Sequence, residues 1–126
     1  AFPAPWAENK RGYRLLPKVY LEYDRRFVWP SEGGRILRQG GRCQALSRQI
    51  AVLRDGTVVP CCLDGQGKMA LGNLKEETLE QILSSELAER MRRNFISSGP
   101  YIHPFCRTCG FADRFDRSRN LFDGHF

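Results

Sequence analysis

The sequence predicts a small α+β module built from a β-hairpin, a helical segment and a Cys-x-x-Cys knuckle. Three observations carry that expectation. Asp55-Gly56 separates two short apolar, β-branched runs, residues 49–53 and 57–60. Such a dipeptide is the strongest local hairpin signal, because the turn needs a positive φ that glycine accepts. Thr78, with Gln81 three residues on, has the form of a capping box ahead of an apolar periodic stretch. Cys106 and Cys109 have two residues between them, the spacing at which one tight turn directs two sulfurs to a common point.

Taken in order, residues 1–40 read as an arm or linker that wraps on the following domain. Pro3, Pro5, Pro17 and Pro30 interrupt it, and Trp6, Tyr13, Tyr20, Tyr23, Phe27 and Trp29 lie among its charges. One short strand is expected within residues 18–29, and Gly33, Gly34, Gly40 and Gly41 make a pliable approach to Cys43. The module proper is expected over residues 41–116. After its hairpin, Asp64, Gly65 and Gly67 mark a turn. Leu79, Ile82 and Leu83 form the apolar stripe of a first helix. Ser84-Ser85 opens a second, in which Leu87, Met91 and Phe95 recur at i, i+4 and i+8. Glu86, Glu89, Arg90, Arg92 and Arg93 are expected on its solvated face. Ser98-Gly99-Pro100 ends the helical region, and residues 117–126 read as a tail.

At 126 residues the chain has the length of about one domain. Its 41% hydrophobic and 27% charged residues are those of a globular protein, not a disordered or fibrous one. No apolar run nears the roughly 20 residues that span a bilayer, and no basic-then-apolar opening marks a secretory leader. The expectation is a cytoplasmic protein without a membrane partner, and Ala1 in first place fits a processed chain or part of a longer one. The net charge of +6 favours anionic partners without choosing among them. Nucleic acid is not the expected partner, since no reading helix or aromatic RNA-binding motif accompanies the charge. No Ser-His-Asp set, phosphate-binding glycine loop or carboxylate pair emerges, which sets aside independent hydrolytic catalysis.

The five cysteines are the chemically informative residues. Their odd number, the Cys61-Cys62 pair and the Cys-x-x-Cys argue against a secreted disulfide framework. They argue for soft-metal, cluster or redox chemistry in a reducing compartment. Cys43 precedes the first hairpin strand and Cys61 follows the second, so an antiparallel hairpin brings both to one end. With Cys106 and Cys109 they make four thiolates, a set that serves a tetrahedral zinc or a cubane cluster. Zinc ribbons use two tight Cys-x-x-Cys knuckles, and Cys43 is too far from Cys61 in sequence to form the first.

The combined pattern, Cys-x12-Gly-x4-Cys over Cys43, Gly56 and Cys61 followed by Cys-x2-Cys at Cys106 and Cys109, resembles the SPASM domain. That domain is the auxiliary cluster-binding extension of radical S-adenosylmethionine enzymes. The strings CQALSRQIAVLRDGTVVPCCLDGQGKMALGNL, TLEQILSSELAERMRR and CRTCGFADRF carry the resemblance from Cys43 to Phe115. Upstream, RRFVWPSEGG resembles the linker before such domains. The resemblance implies an iron–sulfur site with Cys43, Cys61, Cys106 and Cys109 as ligands. It also implies electron transfer or engagement of a substrate, often a peptide, beside a radical S-adenosylmethionine catalytic domain as partner.

The departures are informative. No cysteine follows Cys109, which implies one [4Fe–4S] cluster where the full pattern holds two. The Cys-x3-Cys-x2-Cys motif of the catalytic radical cluster is absent, so the chain reads as a fragment or accessory domain and its standing as an enzyme stays open. The Gly-x4-Cys register favours Cys61 over Cys62, since neighbouring side chains at a strand end point to opposite sides. Cys62 stays an alternative ligand and is otherwise expected as a small buried residue. A structural zinc module that binds protein or nucleic acid is the alternative to the cluster. His103 is a substitute ligand by type, but beside Pro104 it is expected to pack or lie at the surface, and His125 is given no role. Phe105 and Phe111 flank the knuckle and are expected to shield it from water, with Asp64 in a turn nearby.

Overall fold

The N-terminal arm holds more regular structure than its prolines suggest. The structure, a computed structural model, describes residues 7–9, 12–24 and 26–115; Trp6, His125 and the tail at 117–126 lie outside the described residues. Strands β1 (Ala7–Asn9), β2 (Gly12–Leu16) and β3 (Val19–Glu22) form an antiparallel sheet in that order. The strand expected within residues 18–29 is β3. The other two were hidden by Pro17, which sits in the turn and breaks no strand. Leu16 pairs with Val19, so Pro17-Lys18 is a two-residue loop in which Lys18 takes φ 65°. Proline's fixed φ suits the first loop position, and a positive φ at the second is that of a type II turn.

The module's own sheet is a meander of β4 (Ala51–Val52), β5 (Thr57–Val59) and β6 (Gly72–Asn73). The hairpin turns through Arg54, Asp55 and Gly56. Leu53 N–H donates to Thr57 O at 2.8 Å and Gly56 N–H to Leu53 O at 2.9 Å. Asp55 Oδ1 accepts from Thr57 N–H at 3.0 Å, and Gly56 has φ 91°. This is a three-residue loop closed by a left-handed glycine, not the tightest two-residue form. β6 has no strand signature, being two residues without β-branching. It is held by Leu71 N–H to Val58 O at 2.8 Å and Leu74 N–H to Gly56 O at 2.9 Å.

The expected capping box is present at the start of α1 (Leu79–Leu83). Thr78 Oγ1 accepts from Gln81 N–H at 3.2 Å, and Gln81 Oε1 accepts from Thr78 N–H at 2.8 Å. Ser85 caps α2 (Glu86–Ile96), accepting from Ala88 N–H at 3.2 Å. The buried stripe of α2 is Ala88, Met91 and Phe95, whereas Leu87 is 41% exposed. Both sets satisfy helical spacing, and the tightly packed face takes the small alanine. Arg92 leaves the expected solvated face. Its guanidinium donates to Leu46 O and Leu83 O, each at 3.0 Å, and pairs with Glu89. It thereby ties α2 to α1 and to the turn after Cys43.

Ala45, Leu46, Met69, Met91, Phe95 and Tyr101 form the core cluster, with Cys43, Cys61 and Cys106 packed against it. Each large apolar side chain buried there stabilises by about 1.5–3 kcal/mol. A short helix α3 (Pro104–Arg107) and a 3-10 helix (Phe111–Phe115) are the last elements among the described residues. Among the described residues no helix is long and apolar enough to cross a membrane.

Candidate metal centre

Three separate pieces of local structure deliver the cysteines. Cys43 is fixed at the end of α2, where its N–H donates to Phe95 O at 3.1 Å. Cys61 follows Pro60 at the exit of β5, and its carbonyl accepts from Asp64 N–H at 3.3 Å. Cys106 lies in α3 and Cys109 just past it, with Cys109 N–H donating to Cys106 O at 3.3 Å. Pro104 occupies the first turn of α3, where no N–H is needed. His103 caps that turn, its Nδ1 accepting from Phe105 N–H at 3.1 Å. The imidazole that residue type suggested as a substitute ligand thus serves the knuckle's own geometry.

Cys43, Cys61, Cys106 and Cys109 all line one cavity of about 30 Å³, walled by Met69, Phe95, Phe105 and Phe111 among others. The two phenylalanines stand where the sequence placed its shield. Cys106 Sγ lies 3.3 Å from Met69 Sδ. Cys62 is elsewhere: it is exposed, with Sγ 3.9 Å from Gln49 Oε1. Its expected buried position is not observed, because Cys61 takes the inward side at the strand end and Cys62 the outward one. Among the described residues no three His, Cys, Asp or Glu side chains gather as closely as a single metal ion requires. The four thiols border a shared space instead.

Asp64 occupies the turn position expected of it, but fully buried. Its two carboxylate oxygens accept from Lys68 N–H and Met69 N–H, both at 2.7 Å, and so hold the loop that carries Met69 to the cavity. The strap of residues 26–40 closes the other side. Gly110 N–H donates to Val28 O at 2.9 Å, and Leu37 N–H and Arg38 N–H to Arg107 O at 2.8 and 3.2 Å. Ser31 N–H donates to Thr108 Oγ1 at 3.0 Å. Phe27 meets Phe111 edge to face at 4.9 Å, and Pro30 lines the cavity itself. A Cβ at Gly110 would stand 2.9 Å from Val28 N, so only glycine lets the strap pass so near Cys109.

Burial pushes all four thiols up, Cys61 to about 11, and mutual repulsion among the thiolates adds to the rise at Cys61 and Cys106. Arg38 pulls the other way at Cys43 and Cys109. Sequence reasoning missed this residue, since its partners lie 63 and 75 positions away. Buried at 8% exposure, Arg38 donates from Nη1 to Asp113 Oδ1 and from Nη2 to Tyr101 OH, each at 2.8 Å. Burial opposes its charge, but Asp113 and Tyr101 more than offset that, and its pKa rises. Burial also pushes the Tyr101 phenol up to about 12. An apolar space that resists four free thiolates suits a cationic centre that would stabilise them, and soft sulfur donors fit iron or zinc.

Fold and cavity together define a class, a small α+β module whose cysteines surround one apolar space. Residues 43–110 match the family model of the SPASM domain, described as an iron–sulfur cluster-binding domain. With more than half its length matched, the chain belongs to the SPASM family, the auxiliary iron–sulfur domains of radical S-adenosylmethionine enzymes. No curated protein and no solved structure matches the chain.

Proposed function

We propose that Cys43, Cys61, Cys106 and Cys109 ligate one [4Fe–4S] cluster. The module would then relay electrons to a radical S-adenosylmethionine catalytic domain, or hold that domain's peptide substrate, in the reducing cytoplasm. One observation carries the reading: four of the five cysteines line a single apolar cavity and the fifth faces solvent. The bound cluster would supply one-electron transfer. The chain's residues do the rest. Phe105, Phe111 and Pro30 exclude water, which tunes a cluster's potential. Arg38 places a buried positive charge where the thiolates accumulate negative charge.

The test is anaerobic purification with iron and sulfide analysis. About four irons and four sulfides per chain, with broad absorption near 400 nm and reversible one-electron reduction, are expected. A colourless protein with one zinc per chain refutes the cluster. A cluster that cannot be reduced reversibly refutes electron relay.

A further inference from the structure

We propose that a second, arginine-lined cleft beside Cys43 receives the carboxylate side chains of an acidic peptide segment. The cleft has a volume of about 540 Å³ and is lined by Arg42, Cys43, Gln44, Ser47, Arg48 and Arg114, among others, with no acidic side chain in its walls. That volume falls among those of ligand sites. The fold gathers these cations deliberately. Arg48 N–H donates to Gln44 O at 2.9 Å and Leu46 N–H to Gln49 O at 2.8 Å, with Leu46 at φ 63°. The segment after Cys43 therefore curls back, and Arg42 and Arg48 reach the same opening. Arg114 comes from the 3-10 helix, its guanidinium 3.7 Å over the Phe111 ring and one N–H reaching Asp24 at 3.4 Å.

Among the described residues neither Arg42 nor Arg48 forms an ion pair. Like charges so gathered raise the local positive potential, which a bound anion relieves. Guanidinium forks match carboxylates bidentately. A compact pocket with apolar wall from Ile96 and Phe115 suits a polypeptide better than the basic stripe that tracks a nucleic-acid backbone. Cys43 borders both this cleft and the thiol-lined cavity, so a peptide seated here lies against one proposed cluster ligand. The inference deepens the peptide-engagement reading and rests on it for the purpose of binding, not for the binding itself.

The experiment titrates a fluorescein-labelled hexaglutamate peptide into the full chain at low salt and reads anisotropy, with circular dichroism as a check on folding. Saturable binding is expected. Arg42→Gln and Arg48→Gln should each weaken it about fivefold or more. Arg90→Gln and Arg93→Gln, at exposed positions of α2, remove the same charge and should change it less than about twofold. Equal losses from both pairs overturn the proposal, because net charge alone would then draw the peptide. Tighter binding of a single-stranded oligonucleotide, lost in the same cleft variants, also overturns it. Iron is measured on every sample. Binding lost while iron is retained supports the cleft. Wild-type protein that binds the peptide but holds no iron supports the cleft and sinks the cluster.

Discussion

Arg38 is the only buried cation among the described residues, and replacing it tests the electrostatic account of the site. Arg38→Met removes two hydrogen bonds of 2.8 Å and leaves Asp113 and the Tyr101 hydroxyl without that partner. Hydrogen bonds to charged groups contribute about 1.5–3 kcal/mol each, and stripping one partner from a buried ion pair costs about 3–5 kcal/mol. The Asp113 side chain is 26% exposed, so water recovers part of that loss, and about 2–4 kcal/mol is expected. Against a typical stability of about 5–15 kcal/mol this is a large fraction. At about 4 °C per kcal/mol for a chain of this size, the melting point should fall by roughly 8–16 °C. The assay is urea and thermal denaturation followed by far-UV circular dichroism at matched metal content. Arg38→Lys should fall between wild type and Arg38→Met, since an ammonium lacks the fork that reaches both partners. Adding Asp113→Leu to Arg38→Met should recover about 1 kcal/mol or more, because no charge is then stranded. A loss below about 1 kcal/mol for Arg38→Met, or a double variant as unstable as the two single losses summed, refutes the reasoning.

Other substitutions separate ligands from supports. Cys62→Ser should keep the wild-type iron content, whereas Cys61→Ser should lose most of it; iron analysis of the two anaerobic preparations decides, and the reverse outcome exchanges their roles. Asp64→Ala removes two charge-assisted acceptors from the loop carrying Met69 and should destabilise by about 2–4 kcal/mol in urea titration. Thr78→Ala breaks one half of the capping box and should cost about 1 kcal/mol by the same measurement.

The legible parts of the molecule are those fixed by near neighbours. Asp55-Gly56 announces its turn because the conformation it needs is a property of two residues, and Thr78 announces α1 because its partner Gln81 is one turn away. Cys106 and Cys109 are read as a pair for the same reason. What escapes is set by distant residues. β6 is a strand because Val58 O and Gly56 O are beside it, not because Gly72-Asn73 favours one. Arg92 looks like any solvated helix charge until Leu46 O and Leu83 O meet its guanidinium. Arg38 is invisible in sequence, since its two partners are remote. Side-chain alternation at the strand end favours Cys61 over Cys62 as the inward residue, and Cys61 lines the cavity while Cys62 is exposed; that exposure depends on what covers the strand exit, which no local pattern records.

The matched family region begins at residue 43, yet the knuckle depends on backbone upstream of it. Arg107 O accepts from Leu37 and Arg38, Gly110 N–H donates to Val28 O, and Tyr101 N–H donates to Gln39 O at 2.9 Å. Three backbone groups of the segment carrying Cys106 and Cys109 thus take partners from the strap. Each, left unpaired in a buried place, costs about 1–3 kcal/mol. Removing the strap also takes Pro30 from the cavity wall and Phe27 from the Phe111 ring, opening the thiols to water. A chain begun at residue 41 should therefore bind less iron and release it faster to a chelator than the full chain, even though every cysteine remains. A chain begun at residue 26 should hold iron as the full chain does, since the β1–β3 sheet supplies no wall of the cavity. Equal iron retention by all three chains would show that the strap only drapes the site, and unequal retention in the stated order would make residues 26–40 part of the cluster-binding unit.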